Sequence, residues 1–132
     1  MNYGPGKSTQ LYNSISTQTE VTSANAHRLV QMLFEGAINK VAHAQIFMDK
    51  GEFPRAGEKI STVIAIVDSL RASLNHDAGG EISLNLHRLY DYIEQRLLEA
   101  NLKKDTARLE EVSKLLREIK SGWDAIGEKV TP

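Results

Sequence analysis

From Val30 onward, apolar residues recur every three or four positions, through Phe34, Ala37, Val41, Ala44 and Met48, which is the spacing that lines one face of an α-helix. This predicts a first helix over about 24–49. Ser23 or Asn25 can cap its start by accepting a backbone N–H, and Gly51 can end it. Gly36 lies inside the pattern at a propensity cost of about 1 kcal/mol relative to alanine, which either a closely approaching neighbour or simple tolerance would explain. A second run, Phe53, Ala56, Ile60, Val63, Val67, Leu70 and Leu74, keeps the same steps, with Pro54 suited to a first helical turn. The polar stretch from Asn75 to Gly80 then breaks the pattern, and its paired glycines read as a turn. A third helix over about 81–101 carries Ile82, Leu86, Leu89, Ile93, Leu97 and Ala100, with Leu84, Tyr90 and Leu98 off the main stripe. The fourth, over about 105–122, carries Leu109, Val112, Leu116, Ile119 and, near its end, Trp123. Asp105 is placed to cap it, Glu110 and Lys114 are spaced for an ion pair, and Gly122 and Gly127 mark fraying toward Pro132.

Short turns between such helices force neighbours to run antiparallel, and at 1.5 Å per residue a 24-residue helix is about 36 Å long. The expected fold is all-α, an antiparallel up-down-up-down four-helix bundle over 23–124, with a C-terminal tail over 125–132. No period-2 strand pattern and no internal repeat competes with it. Residues 1–22 are rich in Ser, Thr, Gln, Asn and Gly and read as a mobile N-terminal arm. Leu11 and Ile15 are four apart, so a turn or two of helix would align them with Tyr12 as a small apolar face.

Composition narrows the function. Sixteen Lys+Arg against 17 Asp+Glu, a formal net charge of −1, provide no field for a nucleic acid or an acidic membrane. The absence of cysteine removes a disulfide framework, a thiolate metal site and a cysteine nucleophile. Met1 to Lys7 contains no apolar signal core, and the longest aliphatic run, Val63 to Val67, is far below the roughly 20 residues of a membrane helix. A cytoplasmic protein with no membrane insertion is expected.

No catalytic constellation, metal site or cofactor site emerges. A di-iron bundle needs Glu-x-x-His pairs, and no glutamate here has histidine three residues on. His27, His43, His76 and His87 are scattered, and none is read with a carboxylate orienter at helical spacing. Ala26-His27-Arg28-Leu29 is similar to the start of histidine phosphotransfer domains, but Val30-Gln31 stand where that family has Lys-Gly. The chain is therefore expected not to be an enzyme. What remains is apolar surplus on the second and third helices, in Ile64, Ile66, Leu84 and Tyr90. It either widens the core, lines grooves for an amphipathic partner helix, or serves a symmetric homodimer.

Three segments in register then carry a resemblance: Leu29-Val30-Gln31-Met32-Leu33-Phe34-Glu35-Gly36-Ala37, Gly79-Gly80-Glu81-Ile82-Ser83-Leu84-Asn85-Leu86 and Leu89-Tyr90-Asp91-Tyr92-Ile93. With Leu97-Leu98-Glu99-Ala100-Asn101-Leu102, Glu110-Glu111-Val112, Leu115-Leu116 and Trp123, they make nearly the whole chain similar to the FliS family of flagellar secretion chaperones. The resemblance implies a cytoplasmic export chaperone without ATP, whose cargo is the C-terminal helical region of flagellin, wrapped around the bundle in apolar grooves. Covering that region would keep flagellin from polymerising early and deliver it to the flagellar type III export apparatus. The implied partners are flagellin, the export gate protein and, as in some bacteria, the anti-sigma factor. Groove or supporting-core positions are assigned to Val30, Leu33, Phe34, Ile64, Leu86, Leu89, Tyr90 and Ile93. The arm residues Leu11, Tyr12 and Ile15 become an N-terminal gate, with Tyr12 matching the family's N-terminal aromatic position as plug or as export-gate contact. Two departures are mild. Ser23-Ala24-Asn25-Ala26 replaces a frequent Ser-Pro, and Phe34-Glu35 replaces Tyr-Asp, keeping ring and charge but losing a hydroxyl.

Overall fold

The computed structural model describes residues 23–74 and 76–130, so the arm, including Leu11, Tyr12 and Ile15, lies outside the described residues. Four helices follow one another: α1 (Ser23–Asp49), α2 (Phe53–Ala72), α3 (His76–Lys103) and α4 (Thr106–Val130). Each packs on its chain neighbour, and α1 closes the ring against α4, giving the all-α antiparallel four-helix bundle expected. Among the described residues there is no strand.

The turns follow from local chemistry. After α1 the chain turns at Gly51 (φ 75), and the Glu52 N–H donates to the Phe47 carbonyl at 2.8 Å. The same closure ends α3, where Asp105 N–H reaches the Ala100 carbonyl at 3.0 Å, but there the left-handed residue is Lys104 (φ 54). A side chain in that conformation costs about 1 kcal/mol. The Lys104 ammonium lies 5.1 Å from the centre of the Phe53 ring, a cation–π contact that offsets part of it. Asp105 caps α4 as its sequence position predicts, its Oδ1 accepting the Ala107 N–H at 2.9 Å. Gly80 (φ 56, ψ −124) breaks the helical path within α3, so the expected turn is a kink between a single leading turn and the main helix. Only glycine enters that conformation without a Cβ clash.

The core is a single cluster. Its largest fully buried members are Phe34, Ile60, Leu70, Ile93, Leu97, Leu109 and Leu116, with the valines between them. Three predicted features are corrected. The inward stripe of α3 runs through buried Ser83, Tyr90, Ile93 and Leu97 with half-buried Leu86 among them, so Tyr90 is inside while Ile82 is 72% exposed. Both registers are built from steps of three and four, and only the docking of α3 chooses between them. Second, α4 continues to Val130 where the pattern predicts an end near 122. Third, Glu110 forms no ion pair with Lys114 among the described residues and instead accepts a hydrogen bond from Gln45 on α1 at 2.9 Å. At Gly36 an added Cβ would meet Ile66 Cδ1 at 3.7 Å, an ordinary contact, so this glycine is tolerated and not required.

Between α2 and α3, Arg71 gathers three carboxylates: Asp68 at 2.8 Å, Asp91 at 2.8 Å and Glu94 at 2.9 Å. His87 Nε2 lies 3.6 Å from Asp91, a carboxylate four residues on that the sequence reading overlooks. Burial pushes the Glu94 carboxyl up to about 7, with a hydrogen bond to Asp68 and its charge adding to the effect and Arg71 opposing it. A raised carboxyl stabilises the fold fully below its unfolded value, and that contribution is lost as pH climbs through about 7. The Glu94→Gln variant should therefore gain on the parent by about 1 kcal/mol between pH 4.5 and 8, a figure reduced for solvent screening. Urea unfolding at the two pH values tests this, and parallel curves for the two proteins would refute it.

Candidate functional site

At the end of the bundle where α1 begins and α4 finishes, the four helices enclose an apolar cleft of about 740 Å³. α1 contributes Ala26, His27, Leu29, Val30 and Phe34, and α4 contributes Glu118, Ile119, Gly122, Trp123 and Ile126. Opposite them stand Ile82, Leu86 and Tyr90 of α3, with Leu70 and Ser73 closing the α2 side. Phe34, Leu70 and Tyr90 are buried and join the cleft to the core, whereas Ile82 and Ile126, the latter 53% exposed, present large aliphatic surface to solvent. A cavity of this size takes a few large side chains, and a lining so poor in polar groups favours apolar ones.

One wall is held by a reciprocal clasp. The Trp123 indole Nε1–H donates to the His27 carbonyl at 3.0 Å, and His27 Nε2 donates back to the Trp123 carbonyl at 2.6 Å. The two rings stack with centres 4.5 Å apart and planes 7° from parallel. Gly127 allows this approach, because a Cβ there would lie 2.2 Å from His27 Cε1. A turn away, Gln31 donates to Asp124 Oδ1 at 2.7 Å and Lys120 pairs with Asp124 Oδ2 at 2.7 Å. These hydrogen bonds hold the Asp124 carboxyl below its ordinary range, that from Lys120 most strongly. Across the cleft, the Tyr90 hydroxyl has no hydrogen-bond partner among the described residues, and burial pushes its pKa up to about 12.

The model of a family described as flagellar protein FliS matches residues 8–130. The chain belongs to the FliS family. It is 43% identical over 120 residues to a flagellar secretion chaperone FliSB of Pseudomonas aeruginosa, covering 91% of this chain and 95% of that protein. It is 41% identical over 121 residues to the flagellar secretion chaperone FliS of Salmonella typhimurium, covering 91% and 90%. The FliS of Vibrio cholerae is 38% identical over 119 residues, covering 90% and 88%. FliS is a family of chaperones and not of enzymes. Among the described residues no three His, Asp or Glu side chains are grouped to hold a metal ion, and no helix is long and apolar enough to cross a membrane.

Within this FliS chain, the structure brings Val30, Phe34, Leu86 and Tyr90 together on the cleft. Leu33, Ile64 and Leu89 are half-buried against the core away from the lining, and Ile93 is fully buried in the core, also outside the lining. Sequence reasoning missed the contribution of α4. Ile119 and Trp123 are read from spacing as core, Ile126 as tail, and His27 as one of four scattered histidines. The signal available was Ile119, Trp123 and Ile126 themselves, which continue the helical spacing past Gly122.

Proposed function

We propose that this chain is a cytoplasmic export chaperone that covers the C-terminal helical region of flagellin, prevents its premature polymerisation and delivers it to the flagellar type III export apparatus. The observation that carries this reading is the apolar cleft with exposed Ile82 and Ile126 at its rim, in a chain of the FliS family. An amphipathic segment with apolar anchors at i, i+3, i+4 and i+7 matches such a trough. The arm, through Leu11, Tyr12 and Ile15, gates the site, and the export gate protein and an anti-sigma factor are further partners.

Calorimetric titration with the C-terminal segment of the host's flagellin tests it, comparing the full chain with one lacking residues 1–18. Binding with a negative heat-capacity change supports apolar recognition, and tighter binding after truncation supports the gate. Absence of binding in both forms, with a dimer that persists when flagellin is offered, would favour the self-associating bundle.

A further inference from the structure

The seam between α3 and α4 is built differently at its two ends. Toward the α3–α4 turn it is closed by polar contacts between the two helices: Glu111 accepts from the Tyr92 hydroxyl at 2.5 Å and from Arg96 at 2.8 Å, and Arg108 lies 3.5 Å from Glu99. Glu118 stands seven residues after Glu111, two helical turns along the same face of α4. There the seam opens into the cleft, α3 presents Ile82 and Leu86, and Glu118 makes no hydrogen bond or ion pair among the described residues. Arg88, the nearest cation of α3 in sequence to this stretch, does not pair with it either.

The remaining polar groups of the lining are mostly satisfied from within. Ser73 Oγ donates to the Leu70 carbonyl at 2.7 Å, and His27 and Trp123 bind one another. Among the described residues the Tyr90 hydroxyl and the Glu118 carboxylate make no hydrogen bond, and of these two Glu118 is the acidic group.

Resting on the reading of the cleft as a cargo site, we propose that Glu118 is its ionic specificity determinant, pairing with a lysine or arginine side chain of the bound amphipathic segment. Ile82, Leu86 and Glu118 line the same cleft, so seating an apolar segment there removes water around such a pair and strengthens it, and the exposed carboxylate takes it up without breaking a hydrogen bond or ion pair to any of the described residues. A cation offered here is rewarded, and an acidic residue at the same register of the segment is rejected.

The test uses the full chain and the C-terminal segment of flagellin as probe, with binding kinetics followed at low and high salt. The Glu118→Gln variant should bind about fivefold more weakly, chiefly through slower association, and with a shallower salt dependence. Glu118→Lys should lose more, and one segment variant carrying glutamate in place of a single lysine or arginine should restore its binding. Unchanged affinity and salt dependence in Glu118→Gln would overturn the proposal while leaving the cleft reading intact. Failure of every charge-swapped segment to restore binding, or an Arg88→Gln variant that reproduces the same losses, would also overturn it. If the parent chain fails to bind the segment at all, the cleft reading itself falls.

Discussion

The Leu86→Asp variant should keep the helix content of the parent chain and lose at least about a hundredfold in affinity for the C-terminal segment of flagellin. Leu86 is half-buried on the cleft wall, so its carboxylate replacement reaches water in the free protein and folding is spared. Occupation of the cleft would then strip that carboxylate of water with no partner beside it, at a cost of 3 kcal/mol or more, on the order of the hundredfold stated. Circular dichroism and calorimetry on the same sample separate the two effects. A Val30→Asp variant is the companion from the opposite wall. Parent-like binding by both variants would remove the cleft as the cargo site.

A second large effect is expected in the core, and two adjacent residues isolate it. Leu97 is fully buried, whereas Leu98 is 59% exposed. The Leu97→Ala variant should lose about 3 kcal/mol through lost burial and the cavity left behind, lowering the melting temperature by about 10 °C. Leu98→Ala should stay within about 0.5 kcal/mol of the parent. Thermal unfolding of the pair, with cargo binding measured well below both transitions, would show whether stability and recognition are separable. A melting temperature of Leu97→Ala equal to that of Leu98→Ala would contradict the packing described.

The helices were legible because their apolar spacing repeats over five to seven turns, far more than chance alternation sustains, and Asp105 marks the entry to α4 in chemical terms. The cleft was only half legible. Val30, Phe34, Leu86 and Tyr90 could be named, but periodicity says that a residue is apolar, not whether its neighbour stands close enough to cover it. Tyr90 and Ile82 exchange roles for that reason, since a small rotation of α3 about its axis separates the two readings. The α4 wall was hidden by two glycines that look like stops. Gly122 is an open position within the helix, and Gly127 is there because the His27 ring occupies the space a side chain would need. The clasp between His27 and Trp123 joins residues 96 apart in sequence, and no local rule reaches across that distance.

That clasp has an optical consequence. Trp123 is the sole tryptophan of the chain, and its indole is stacked on an imidazole in the wall of the cleft. The molecule therefore carries one built-in fluorophore, positioned where cargo is proposed to dock, with a neighbouring ring and a hydrogen-bonded N–H that both set its emission. Any segment that enters the cleft changes the solvent around the indole or loosens the stack. Occupancy can then be followed on unlabelled protein, in real time and at low concentration, with flagellin segments lacking tryptophan contributing no background.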